Sequence, residues 1–153
     1  MKHLVFGLAA TAALIGVAAA QSRPGAANAI HARQAHYKQI GAAMKAINDQ
    51  LRAGEPALPV IRRNAGLIAG LAPRVSGWFP HGTGAEARVR TRALPEIWSD
   101  PAGFRAAAVN FILASRRFDA AARRGDLAAI RADARGLGNA CRDCHDHYRG
   151  PEQ

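Results

Sequence analysis

Four stretches of this sequence carry apolar side chains at steps of three, four and seven, and no stretch alternates with period two. That spacing belongs to the α-helix, in which such positions share one face. In the first stretch the seam is Ile30, Tyr37, Ile40, Met44, Ile47 and Leu51, which predicts a helix from about Ala26 to Leu51. Arg52 to Pro56 reads as a stop and a turn. A second helix is expected over about Ala57 to Val75 on Ile61, Ile68, Leu71 and Val75, with Pro59 tolerable in its first turn. Ser99-Asp100-Pro101 pairs an N-capping side chain with an early proline and opens a third helix. Its seam is Phe104, Ala108, Phe111, Ser115, Phe118 and Ala122, and Gly125 closes it where a left-handed residue is needed. Asp126 caps a fourth, with the seam Leu127, Ile130, Ala134, Leu137, Cys141, Cys144 and Tyr148, and Gly150-Pro151 ends it.

Short turns after the first and third helices force antiparallel neighbours. The fold class is therefore all-α, an antiparallel up-down-up-down four-helix bundle. At 153 residues the chain suits a single domain. The second connection, Gly77 to Ser99, is a long loop holding Trp78, Phe79 and Trp98, and its aromatics are expected to fold back onto something apolar. The hydrophobic fraction of 49% excludes disorder, yet it leans on alanine, and aromatics are only 6%. Small seam residues such as Ala108, Ala122 and Ala134 leave room inside the bundle.

Residues 1–20 read as a secretory leader, and 21–153 as the working domain. Met1-Lys2-His3 is a short positive start, Leu4 to Val17 is apolar, and Ala18-Ala19-Ala20 suits cleavage. The alternative is an uncleaved anchor, since the apolar run nearly reaches spanning length; its Ala and Gly content favours the leader. No later stretch has the makings of a membrane span, so no integral span remains after leader removal. The whole chain carries 21 Lys and Arg against 11 Asp and Glu, a formal +10. Export and the scatter of arginines along every segment argue against nucleic acid as a partner. A solvated basic surface is the simpler reading, with an acidic redox partner protein or an anionic membrane as possible users.

Cys141-Arg142-Asp143-Cys144-His145 is the CxxCH pattern of c-type haem attachment. Two thiols three positions apart on a helix share a face and can add to the two vinyl groups of one haem. The next residue, His145, then supplies the proximal iron ligand. A thioredoxin-like dithiol needs a strand-helix context, a structural zinc site needs four ligands, and a disulfide across this helical spacing would strain the bond. One covalent haem c per chain is expected, with an apo chain that folds poorly.

The other side of the iron is left open. Pairing the seam ends of the first and fourth helices sets Ile30 level with Tyr148 and Leu51 with Leu127. In that register Arg33 lies level with His145, Tyr37 with Cys141, and Met44 with Ala134. Met44 is then about 16 Å along the bundle from His145, which makes core packing its better role. Tyr37 faces the haem but a neutral phenol is a weak ligand. His36 points about 100° away from Tyr37. Surface positions are expected for His36, His147, His31 and His81. The preferred reading is a vacant sixth position, with Tyr37, His36 and Met44 as the alternatives.

Arg33 to Tyr37, Arg92 to Pro101 and Cys141 to Arg149 together resemble the cytochrome c′ family of class II c-type cytochromes. The resemblance spans essentially the whole chain after the leader. It implies a four-helix bundle, a periplasmic location, and frequently a homodimer through the first two helices. It also implies that Cys141 and Cys144 hold the haem and His145 ligates iron. Arg149 would lie beside the proximal imidazole, and Arg33, Gln34 and Arg90 or Arg92 would approach the propionates. Tyr37 occupies the position that separates high-spin members from low-spin relatives with methionine there. The expected function is electron transfer, binding of NO or CO at five-coordinate iron, or both; a six-coordinate electron carrier is the alternative. No acid-base pair or nucleophile points to an enzyme, beyond the weak peroxidase activity open to any accessible iron.

Overall fold

The computed structural model describes residues 18–151, with side chains from residue 25 onward. The expected leader, residues 1–20, lies outside the described residues except for its last three. The helices are α1 (Ala18–Arg52), α2 (Leu58–Leu71), the single turn α3 (Glu96–Ser99), α4 (Pro101–Arg124) and α5 (Leu127–Tyr148). Among the described residues there is no strand, only a lone backbone bridge between Ala93 and Arg149.

The four long helices form the expected antiparallel bundle. α2 packs against α1 and α4, and α4 packs against α5. Ile40, Ile47, Ile61, Ile68, Phe118 and Leu137 lie in one buried cluster, so the seams converge on a common core. Local chemistry sets the boundaries. Asp100 accepts from Gly103 N–H, Pro101 opens α4, and Gly125 closes it at φ 77°. Asp126 accepts from the N–H groups of Ala128 and Ala129 at the start of α5. At the lower end of the bundle, Arg131 Nη1 donates to Leu51 O at 2.6 Å and ties α5 to α1 in the anticipated register.

Two boundaries and one burial differ from the periodicity. α1 starts at Ala18 rather than Ala26, over a stretch with no apolar seam that runs through Pro24 and Gly25. α2 stops at Leu71, and the chain tightens into 3₁₀ turns over Ala72–Trp78. Pro73 lacks the N–H that would continue the α-helical ladder, although Ala72 and Val75 stay buried on the same face. Leu127 is 38% exposed despite its seam position, being the first residue of α5 at the bundle's end.

The long connection is ordered rather than irregular. It holds a 3₁₀ turn at Ala85–Ala87 and the α3 turn. Its aromatics fold inward as anticipated: Phe79 stacks edge-on against Phe104 (ring centroids 5.1 Å apart), and Trp98 Nε1 donates to Phe79 O. Its later part pairs with the chain beyond α5. Leu94 N–H donates to Tyr148 O, Gly150 N–H to Arg92 O, and Arg92 Nε to Gly150 O. This strap places Arg92 beside the end of the CxxCH helix.

Candidate functional site

α1 and α5 are splayed where the seams run out of large side chains, and a cavity of about 680 Å³ opens between them. That volume is typical of a cofactor site. Its apolar walls include Ile40, Val75, Phe104, Ala108 and Phe111. Ala108 and Phe111 were visible as seam residues; their lining role follows from the neighbouring alanines that leave the space.

Cys141, Cys144 and His145 line this cavity from α5, and Tyr37 lines it from α1. Both thiols are free and half-buried. Burial, aided by the neighbouring Cys144, pushes the Cys141 thiol up to about 11, and burial likewise raises Cys144. The Tyr37 phenol is held well above its ordinary range by burial, with Cys144 adding to the effect. It is a neutral phenol at physiological pH. Tyr37 and Cys141 facing one cavity, with the Arg131 to Leu51 tie below, agree with the register drawn from the seams.

His145 sits on the rim, its Nδ1 3.4 Å from Arg149 Nη1. Burial lowers its pKa, and Arg149 and Arg92 lower it further. Both effects favour the neutral imidazole, which is the form a metal ion needs. Gln34, Arg92 and Arg149 also border the cavity. Gln34 Nε2 donates to Arg90 O at 2.8 Å. Arg33 is 3% exposed and spends three N–H bonds on Thr83 and Thr91 of the long loop.

Met44 packs on the core and also reaches this cavity. His36 is not the surface residue expected. It stacks on Trp78 with centroids 4.8 Å apart, its Nδ1 buried without a partner. The long loop brought the indole over it, which no local pattern reveals. His31, His81 and His147 are exposed as expected. Phe79 lines the cavity, as the inward folding of the loop aromatics anticipated, whereas Lys38 and Thr91 line it without having been singled out. Lys38 stands four residues after Gln34 on a helix, a spacing that marks it as a neighbour; Thr91 carries no such mark.

The donor set fits a haem c. Two thiols and an imidazole face an apolar cavity, and cationic and amide groups at its border suit carboxylates. A metal bound by protein ligands alone does not fit, since the described residues hold no cluster of three or more His, Cys, Asp or Glu.

A family model for cytochrome c′ matches residues 28–149. The chain belongs to the cytochrome c′ family. Cytochrome c′ from Rubrivivax gelatinosus is 34% identical over 68 residues, 44% of this chain and 53% of that one, so the aligned stretch spans about half of that relative. The crystal structure of the R. gelatinosus protein is similar over 81% of this chain and 96% of that one, at 33% identity and TM-score 0.74. A cytochrome c′ with ligand-controlled dimer dissociation matches at TM-score 0.76 and 27% identity, over 82% of this chain and 97% of that one. The nitric oxide complex of an Alcaligenes xylosoxidans cytochrome c′ mutant matches at TM-score 0.75 and 27% identity, over 83% and 97%. Membership of the cytochrome c′ family carries haem binding and the four-helix bundle with it. No helix among the described residues is long and apolar enough to cross a membrane.

Proposed function

We propose that this chain is a periplasmic cytochrome c′ carrying one covalent haem c, and that it transfers electrons, binds NO or CO, or does both. The observation that carries this reading is the CxxCH motif lining an apolar cavity with Tyr37 on the facing helix. When bound, the haem supplies a one-electron iron couple and an axial position open to small diatomic ligands. The chain's residues do the rest. Cys141 and Cys144 are the thioether donors and His145 the proximal ligand. Arg149, beside that imidazole, disfavours its protonation. Gln34, Arg92 and the two N–H donors that Arg33 keeps beyond its three loop bonds receive the propionates. Tyr37, neutral and bulky, excludes water and large ligands from the facing side and leaves the iron five-coordinate.

The NO complex of the A. xylosoxidans relative supports a gas ligand here, and the dimeric relative supports a homodimer, for which the family resemblance implies the α1 and α2 face. The leader over residues 1–20 supports export, and the working domain is 21–153. The partners are redox proteins and diatomic gases. The chain is a carrier or binder rather than an enzyme, beyond weak peroxidase chemistry at an accessible iron.

A second reading rests on Met44, which reaches the same cavity: a six-coordinate, low-spin electron carrier. Two measurements decide. Mass spectrometry of the exported protein is expected to show one added haem, and its absence overturns both readings. An optical spectrum of the reduced protein then separates them. Broad visible bands that change with NO or CO mark the five-coordinate binder, and sharp bands indifferent to both mark the carrier.

A further inference from the structure

A second concavity, about 540 Å³, runs down the α1/α5 seam on the other side of Met44 from Tyr37. It differs in chemistry from the cavity above. Arg131, Arg135 and Arg142 line it from α5, and Asn48 lines it from α1, over a floor that includes Met44 and Leu51. The three arginines follow at spacings of four and seven, so they fall within about 40° of one another on the helix and span about 16 Å along it. Gly138, between Arg135 and Arg142, leaves the middle of the stripe open.

The stripe is partly preset. Arg131 is fixed across the groove by its 2.6 Å bond to Leu51 O, and Arg142 is held by the Asn139 side-chain oxygen. Arg135 makes no hydrogen bond or ion pair among the described residues. None of the three has a carboxylate partner there. Asp49, the acidic residue of this part of α1, is already engaged by Lys45 and Arg52. Asp133 stands two positions from Arg131, on the opposite face of α5. Three guanidiniums are thus gathered along a concave surface whose lining includes no carboxylate. Guanidinium is the side chain best matched to phosphate and carboxylate oxygens.

We propose that this groove is a binding site for an elongated multivalent oxyanion, either a condensed phosphate or a polycarboxylate. The spacing selects length: a single compact anion meets one or two of these arginines, whereas spaced anionic oxygens meet all three. The groove adjoins the haem cavity, sharing Met44 and Gly138 with it, and its last arginine, Arg142, stands within the attachment motif.

The test is titration calorimetry of the haem-loaded protein in about 150 mM salt, where diffuse surface attraction is largely screened. The probes are tripolyphosphate, tricarballylate and orthophosphate. Either extended anion is expected to bind one per chain, at least tenfold more tightly than orthophosphate; which of the two binds identifies the source. Arg135→Ala is expected to weaken that binding at least tenfold. Arg63→Ala, at an exposed position on α2, should change it less than twofold. Arg135 has no partner to lose, so its variant should fold normally, as its helical circular dichroism would show. Non-saturating uptake, or equal losses in the two variants, would reduce the groove to general surface charge and overturn the proposal.

Discussion

Arg33 grips Thr83 twice across the bundle's end, through Nη1 to the hydroxyl at 2.8 Å and through Nη2 to the backbone carbonyl at 2.7 Å. The same guanidinium donates to Thr91 Oγ1 at 2.7 Å and lies 4.8 Å over the Phe79 ring. One α1 side chain thereby fastens three points of the long loop. Burial lowers the guanidinium's pKa, yet arginine begins so high that it stays charged.

Arg33→Ala is expected to cost about 2–4 kcal/mol, because it strands buried acceptors and releases the loop. Denaturant unfolding measures the loss, and limited trypsin digestion should show faster cleavage after Arg88 and Arg90. Unchanged stability and digestion would mean the loop holds itself.

The start of α4 is a second tight junction. Asp100 accepts from Gly103 N–H at 3.0 Å and from the Tyr148 hydroxyl at 3.2 Å. Asp100→Ala should lose about 1 kcal/mol as a missing cap. Gly103→Ala should cost at least as much, since a Cβ there would collide with the Asp100 carboxylate and come 2.6 Å from the Tyr148 hydroxyl. Thermal melts of both variants check the order; a neutral Gly103→Ala would refute the close packing.

The large cavity makes folding depend on its occupant. With nothing filling it, this apolar-walled cavity of about 680 Å³ leaves its lining side chains without packing partners. The apo chain, made as the double variant Cys141→Ser/Cys144→Ser, is expected to lose its near-ultraviolet circular dichroism and bind a hydrophobic dye. Ala108→Phe should partly restore the apo core by filling the cavity, while lowering haem incorporation in the otherwise unaltered chain. A well-packed apo double variant would argue against a cofactor-filled core.

Tyr37 links stability to alkaline pH. Its folded pKa lies above the 10.0 of the free side chain. A group raised on folding contributes fully below its unfolded pKa, and that contribution declines as pH rises beyond it. Stability should therefore fall above about pH 10, by at most about 1.4 kcal/mol per pH unit from this residue. Tyr37→Phe should show a shallower decline over pH 9–11 in denaturant melts. Parallel curves would place the phenol in water rather than in the cavity.

His145→Ala is expected to leave the thioether attachment in place and abolish proximal ligation. The purified variant should keep the haem mass and lose the native spectrum. Unchanged spectra would move the proximal ligand elsewhere.

The elements and the attachment motif were readable from the chain because they depend on neighbours within a few residues. Asp100, Gly125 and Asp126 act on the turns beside them, and Cys141, Cys144 and His145 share a helix surface by their spacing. The α1/α5 register was also recoverable, because two seams with matched ends leave little choice of alignment. Less was visible at boundaries, where α1 extends over residues that share no apolar pattern and Pro73 changes the pitch after Leu71.

The sequence alone determined four amphipathic helices, their caps and a haem-attachment signature, all through interactions at helical spacing. Tertiary structure decided what stood around them. It drew Thr83 and Thr91 onto Arg33, laid Trp78 over His36, and split the α1/α5 seam into an apolar cavity and an arginine-lined groove. Those outcomes join residues tens of positions apart, so no local periodicity encodes them. They follow from which helices approach closely and which the small side chains leave apart.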